Sequence, residues 1–442
     1  MAFQRLLLAA LVLSPNVCVN DESRISAAKA FVKEIFAGKY DEGIRKFDAT
    51  MTRSLPVPAL RKIHTDLSGQ YGKLKKAEET TTETVGRYQV VYVTLELEKG
   101  DLTARVVFNS NQKIAGLFFV PAQNYESPDY VRTDAFREVT VSVGTGVLLL
   151  PGTLSLPTAG QGKVAAVVLV HGSGPNDRDE TIGPNKPFRD LAQGLATRGV
   201  AVLRYEKRTK QHQMLMALNP KLTVQEETID DAVAAVDLLR KRSEVDPERV
   251  FVIGHSLGAM LVPAIAEQQP NACGFVCLAG NTRPLHTLIA EQTKYLVGAD
   301  GQVTPEEQAH QEKILQQVAL VDSDKLTEKT ARGDLPFAIP PAYWLHLKKY
   351  DVTSSAAGMT RPLMVLQGER DYQVTMKDFA GWKQALAGKK TVLFKSYPSL
   401  NHLFMAGNGK SRPEEYSTAG HVAEEVIVDI ATWIRAQPAL KK

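Results

Sequence analysis

The chain has 442 residues, 44% of them hydrophobic and 23% charged, with a formal net charge of +4 at pH 7. That length is enough for two domains with sizeable cores, and the balance excludes a disordered chain. No long Lys/Arg block occurs, so a nucleic-acid surface is excluded as well.

The first twenty residues read MAFQRLLLAALVLSPNVCVN. One early cation, Arg5, precedes an apolar run from Leu6 to Leu13, which Pro15 ends. The run is too short to span a bilayer and fits a secretory signal cleaved near Val19 or Asn20. A buried N-terminal helix is the alternative. Cys18 follows Pro15-Asn16-Val17, a poor context for lipid attachment. Export to the periplasm or the exterior is therefore expected, with no stable membrane anchor. Cleavage leaves Cys273 and Cys277, both in CGFVCLAG. Along a strand they would lie about 13 Å apart, too far for a disulfide. Both read as core residues.

Residues 21–122 predict a small α+β domain. Ala27, Ala30, Phe31, Ile35 and Phe36 recur at helical spacing, and Gly38 ends the segment. ALRKIHTDLSGQYG, after Pro56 and Pro58, predicts a second helix. RYQVVYVTLEL, LTARVVFNS and KIAGLFFV then predict an antiparallel meander. The region has one histidine, His64, and no polar cluster that points to chemistry, so a binding or packing module is expected. PAQNYESPDYVRTD carries two prolines, and residues 123–134 read as a linker.

From 135 to 442 strands alternate with helices. REVTVSVG and GVLLLPGTLSLP predict an antiparallel pair. VAAVVLV reads as a fully buried strand, followed by a helix from Phe188 to Arg198 and the strand VAVLRYEKR. Thr223 to Arg242 reads as a helix, with Thr223 and Glu226 at capping-box spacing. RVFVI, CGFVCLAGN, RPLMVLQ and TVLFKSY predict the later strands, and His421 to Ala436 a closing helix. Near-continuous apolar strands between helices mean a parallel sheet covered on both faces. A helical insertion at about 282–358 interrupts the pattern. Thr304-Pro305-Glu306-Glu307 opens its strongest helix. By position it is a lid or helical padding.

In such sheets ligands bind beyond the C-terminal ends of the strands. VVLV is followed there by His171-Gly172-Ser173-Gly174, and VFVI by Gly254-His255-Ser256-Leu257-Gly258. LMVL is followed by Gln367-Gly368-Glu369-Arg370-Asp371, and TVLFKSYPSL by Asn401-His402. The second is a G-x-S-x-G elbow between a strand and a helix. Serine is a weak nucleophile and needs a base within reach. His402 can take and return a proton near neutrality, and Asp371 can fix its tautomer. The backbone N–H groups of Leu257 and Ser173 are the expected oxyanion donors, with Gly172 and Gly174 shaping the loop. Gly254 and Gly258 let the turn form and let strand and helix approach. Asp351 and Asp378 compete for the acid, and His421 for the base. His255 reads as structural, His171 as a hydrogen-bonding brace, and Tyr205 to Arg208 as a surface salt-bridging segment. Tyr343 and Trp344 could line an acyl pocket or pack a core.

These motifs resemble the α/β-hydrolase superfamily. HGSGPNDRDETIGPNKPFRDLAQGLATRGVAVLRYEKRT, together with GHSLGAM, is similar to EstD-type bacterial serine carboxylesterases, which are exported enzymes related to serine aminopeptidases. KYDEGIRKFDATM and IAGLFF resemble a small domain of unknown function that precedes such hydrolases. The resemblance implies hydrolysis of small acyl esters with short chains, a Ser-Asp-His triad at Ser256, Asp371 and His402, and neither cofactor nor metal. A peptidase or amidase on the same triad is the rival; Glu206 or Asp179 could then hold a free terminus. A non-catalytic binding protein is the third reading. Oligomeric state is left open.

Overall fold

The structure, a computed structural model, describes residues 21–85, 88–121, 125–158, 162–297 and 303–440. The expected signal segment, residues 1–20, lies outside the described residues. The chain divides into two compact units, one up to residue 123 and one from residue 124.

The first unit opens with helix Asp21–Phe36 and carries a second long helix, Val57–Tyr71, with Pro58 in its first turn. Four antiparallel strands follow in sequential order: β1 (Leu74–Val85), β2 (Tyr88–Leu97), β3 (Gly100–Phe108) and β4 (Ile114–Pro121). On β3 every second residue is buried, so Leu102, Ala104, Val106 and Phe108 meet Phe31, Ile35 and Leu60 in one core. The sequence pattern revealed three of these strands. The fourth, LKKAEETTTETV, lacks large apolar residues at alternate positions. It owes its place to threonine's β-branched preference and to pairing with β2, from Leu74 opposite Leu97 to Val85 opposite Tyr88.

The second unit contains an eight-stranded sheet. Its strands are β5 (Phe136–Val143), β6 (Leu150–Pro157), β7 (Val164–Val170), β8 (Ala201–Tyr205), β9 (Val245–His255), β10 (Gly274–Leu278), β11 (Leu363–Gly368) and β12 (Val392–Tyr397). The spatial order is β12-β11-β10-β9-β7-β8-β6-β5. All pairings from β8 to β12 are parallel, while β5–β6 and β6–β8 are antiparallel. The expected antiparallel pair is therefore present, as the edge of a mostly parallel sheet.

Continuous apolar runs arise because both faces are covered. On β7, Val167 and Leu169 pack with helices Pro187–Thr197 and Glu424–Ala436, through Phe188, Leu191, Ile427 and Ile430. Ala166, Val168 and Val170 pack on the other face with helices Asp230–Arg240 and Val262–Gln268. Two boundaries differ from expectation. The helix expected from Thr223 opens with a π-type turn at Gln225–Ile229; Glu226 does reach back to the Thr223 N–H at 2.9 Å. The closing helix starts at Glu424 rather than His421, because Asp190 takes the Val422 N–H at 2.9 Å and holds the chain out of helical form.

The insertion between β10 and β11 contains helices Leu285–Leu296, Pro305–Asp322, Pro341–Lys349 and Val352–Gly358. Thr304 and Glu307 form the expected reciprocal cap at the second of these. The stretch read as a linker is fastened to the second unit from residue 125 on. Tyr125 donates to Asp190 and Tyr130 to the Val422 carbonyl, each at 2.7 Å. Cys273 and Cys277 are free and buried. Among the described residues no helix is long and apolar enough to cross a membrane.

Candidate active site

β7, β9, β11 and β12 run parallel, so the loops after them gather at one edge of the sheet. Ser256 directly follows β9 and precedes helix Leu257–Met260. Its backbone, at φ 52° and ψ −115°, sits where L-residues are strained. Its N–H is pinned to the Leu278 carbonyl at 2.9 Å. The flanking glycines have a different task from the one a strained turn would give them, because the positive φ falls on the serine. A Cβ on Gly254 would lie 2.4 Å from Gly258 backbone, and one on Gly258 only 2.3 Å from the Val170 carbonyl oxygen. Glycine at both positions lets the helix start touch the strands.

Asp371 and His402 are both buried, and Asp371 Oδ2 meets His402 Nδ1 at 2.7 Å. The rest of the carboxylate is satisfied. Oδ1 accepts the N–H groups of Gln373 and Val374 at 2.7 and 3.0 Å, and Gln367 donates to Oδ2 at 3.1 Å. Asn401 shapes the turn that presents His402, its side-chain oxygen accepting from Leu403 and Met405 N–H. Ser256 and His402 line the same cavity. The competing residues are engaged elsewhere. Asp351 caps helix Val352–Gly358, Asp378 pairs with Arg283 at 2.7 Å, and His421 meets Asp190 at 3.1 Å.

The loop after β7 is held from several sides. Lys207, only 2% exposed, donates from Nζ to the Gly172 carbonyl at 2.7 Å and pairs with Glu227 at 3.0 Å. Asn176 Nδ2 reaches the carbonyls of Gly172 and Ser173 at 3.2 and 3.1 Å. In a trans peptide the C=O and the following N–H point opposite ways. Fixing the Gly172 carbonyl on Lys207 therefore turns the Ser173 N–H away from that lysine. Among the described residues the N–H groups of Ser173 and Leu257 have no protein acceptor. A Cβ on Gly172 would sit 3.1 Å from Ser256 Cβ, which measures how closely this loop approaches the serine; Gly174 is needed for its φ of +90°.

Two expectations are corrected in part here. Tyr205 to Arg208 does salt-bridge, Glu206 with Arg178 and Arg208 with Asp231, but not at the surface: Tyr205 and Lys207 are each 2% exposed, and Lys207 braces the loop from inside. His171 braces its loop mainly by packing, with a backbone hydrogen bond at Asp177 as its polar tie. Its ring packs between those of Phe188 and Tyr205, with centroids at 5.0 and 5.4 Å, and Nε2 has no partner. Burial, stronger than the pull of Glu180, pushes its pKa down to about 4.

The cavity has a volume of about 600 Å³ and is walled by the loop after β7, the segment after β8, and the insertion. Tyr343 and Trp344 both line it and are both buried. Tyr343 donates to Glu227 at 2.6 Å. Two carboxylates border the cavity, and each already faces a cation: Glu227 with Lys207, and Glu180 with the ring of His255 at 2.9 Å. Asp179 and Glu206 do not border it and are paired with Arg204 and Arg178, both at 2.7 Å. The sequence reading missed Glu180 and Glu227 and put Lys207 at the surface. All three lie in charged runs where nothing local marks burial.

Comparison with known proteins follows this geometry. Residues 161–407 match the family described as serine aminopeptidase, S33, and residues 28–117 match a domain of unknown function, DUF3887. The chain is 37% identical over 412 residues to esterase EstD of Thermotoga maritima, covering 91% of this chain and 93% of that one. Two solved structures are more distant. An esterase of Pyrococcus furiosus is 16% identical, with a TM-score of 0.45 over 72% of this chain and 96% of its own. A puromycin-hydrolysing peptidase of Mycobacterium tuberculosis is 16% identical, with a TM-score of 0.45 over 82% of this chain and 49% of its own.

Proposed function

The chain belongs to the serine aminopeptidase (S33) family of α/β-hydrolases, and from that premise we propose that it is a serine carboxylesterase acting on small acyl esters. The observation that carries the reading is the buried Asp371–His402 pair beside a strained Ser256 on one cavity.

In this reading Ser256 Oγ attacks the ester carbonyl carbon while His402 Nε2 takes its proton. Asp371, holding Nδ1, keeps the ring in the tautomer whose Nε2 is free and stabilises the imidazolium. The carbonyl oxygen becomes an oxyanion facing the N–H groups of Ser173 and Leu257. Collapse breaks the bond to the alcohol oxygen, which leaves with the proton from His402. Water then gives a proton to His402 and attacks the acyl-enzyme. The acid departs as Ser256 Oγ recovers its proton.

Ester is favoured over aminopeptide substrate by charge. A free terminal ammonium needs a carboxylate to receive it, and both carboxylates bordering the cavity are already paired. The 37% identity to an esterase supports the same choice. The resemblance of the motifs points to short acyl chains, and the leader-like run Leu6–Leu13 supports export as part of the proposal.

The test is hydrolysis of a p-nitrophenyl series from acetate to palmitate, with an aminoacyl p-nitroanilide alongside. Ser256→Ala should lower kcat by about 10⁴-fold or more. The short esters should be the best substrates and the anilide should be poor. Comparable anilide cleavage would move the assignment to peptidase, and activity surviving in Ser256→Ala would remove the mechanism.

A further inference from the structure

Glu180 has no part in the reaction just described, yet the fold holds it at some cost. Its backbone φ is 51°, a left-handed conformation that a glutamate seldom adopts without compensation. Its side chain is buried, and its two oxygens face two different parts of the site. Oε1 accepts the Gly172 N–H at 2.6 Å. Oε2 lies 2.9 Å from His255 Nδ1, in ion-pair contact although off the line of a hydrogen bond. On the far side of that ring, Nε2 meets the backbone carbonyl of His402 at 3.0 Å.

The chemistry of these contacts fixes the protons. A carbonyl can only accept, so His255 Nε2 is the donor. A carboxylate beside Nδ1 favours a proton there as well. Burial lowers the pKa of His255, but the Glu180 charge outweighs it and the net shift is upward. For Glu180 burial acts to raise the pKa, and the His255 charge outweighs it in the other direction. Both shifts favour an imidazolium facing a carboxylate.

We propose that Glu180 and His255 are a positioning pair that ties the loop carrying Ser173 to the loop carrying His402, keeping oxyanion donors and base in register about Ser256. The pair joins residues after β7, at the end of β9 and after β12, which are otherwise distant in sequence. Glu180 fixes the peptide plane before Gly172, and Lys207 fixes the one after it. His255 precedes Ser256 directly, so any movement of the nucleophile moves the link. Their ring contact adds to this, with the His255 and His402 centroids 4.7 Å apart.

The inference rests on the serine-esterase reading, so the experiment carries its own control. Full-length wild type, Ser256→Ala, Glu180→Ala, Glu180→Gln, His255→Gln and the Glu180→Ala/His255→Gln double variant are assayed on p-nitrophenyl acetate. Rates are referred to sites counted by complete titration with a fluorophosphonate, so misfolded protein does not enter; Ser256→Ala, which has no serine to titrate, is referred to total folded protein. Loss of register should lower kcat per titrated site about 10- to 100-fold in Glu180→Ala and His255→Gln, with KM within about threefold of wild type. Glu180→Gln, which keeps an acceptor for the Gly172 N–H, should lose less. The double variant should be no worse than the worse single one, because the two act as a unit. Variants with wild-type kcat per site, even if they melt earlier, would overturn the proposal and leave the esterase reading standing. Losses that multiply in the double variant would also overturn it. Ser256→Ala as active as wild type would remove both.

Discussion

Single atoms decide much of this site. Gly258 and Gly174 both look like loop glycines in the sequence, and the structure separates them. A Cβ at 258 meets the Val170 carbonyl oxygen at 2.3 Å, a backbone atom that cannot move aside, whereas a Cβ at 174 meets nothing within 4 Å. Gly258→Ala should therefore cost about 3 kcal/mol and abolish ester hydrolysis. Gly174→Ala should cost about 1 kcal/mol, through its positive φ alone. Thermal melts of the two variants check this, and equal losses would contradict it. A second outcome concerns acid. His171 has an ordinary pKa of 6.5 and a folded one of about 4, so between those values the unfolded chain binds more protons. Stability should fall as pH drops from 6.5 towards 4, with His171 contributing up to about 3 kcal/mol of the loss. Glu180, Lys207 and Asp177 face the same ring, so the contribution is isolated by difference: His171→Gln should flatten this part of a urea-denaturation profile. At this scale the sequence was legible where a side chain directly follows an apolar strand. Ser256, Asp371 and His402 stand out on that ground. Glu180 and Lys207 do not, because a charged residue carries no local sign that partners up to 75 positions away will bury it.

Among the elements, legibility follows the strength of the hydrophobic period. The parallel strands announce themselves, since burial on both faces leaves an unbroken apolar run. β1 does not, being a threonine-rich edge strand defined by its neighbour. The insertion between β10 and β11 was legible as helices from the Thr304 cap, and Tyr343 and Trp344 as possible pocket residues, but the polar tie that fastens it to the site was not. That attachment runs through Tyr343, whose hydroxyl ties helix Pro341–Lys349 to Glu227 and so to the buried Lys207. Tyr343→Phe would leave a buried carboxylate one donor short. It should destabilise the protein by about 1–2 kcal/mol and alter the acyl-chain profile more than the rate on acetate. Equal changes on all chain lengths would detach the helix from substrate selection.

On the scale of the whole molecule, two cores coexist in one chain. The first gathers Phe31, Ile35, Leu60 and the β2–β3 residues; the second straddles the eight-stranded sheet. Scanning calorimetry should accordingly show a calorimetric enthalpy larger than the van't Hoff value, as independent units give. A ratio of one would mean that they melt together. The eight-stranded sheet has a further consequence. His402 sits in the loop after β12, and β12 is the outermost parallel strand, joined to the sheet among the described residues only through β11. Non-local strand pairing of this kind is slow, because distant segments must meet before any contact rewards them. A chain collapsed around β7 to β10 would hold its serine elbow but not yet His402, and on the proposed mechanism it would lack its base. Recovery of hydrolysis during refolding would then time the docking of one edge strand, and an immature chain would be harmless to the esters around it until that moment.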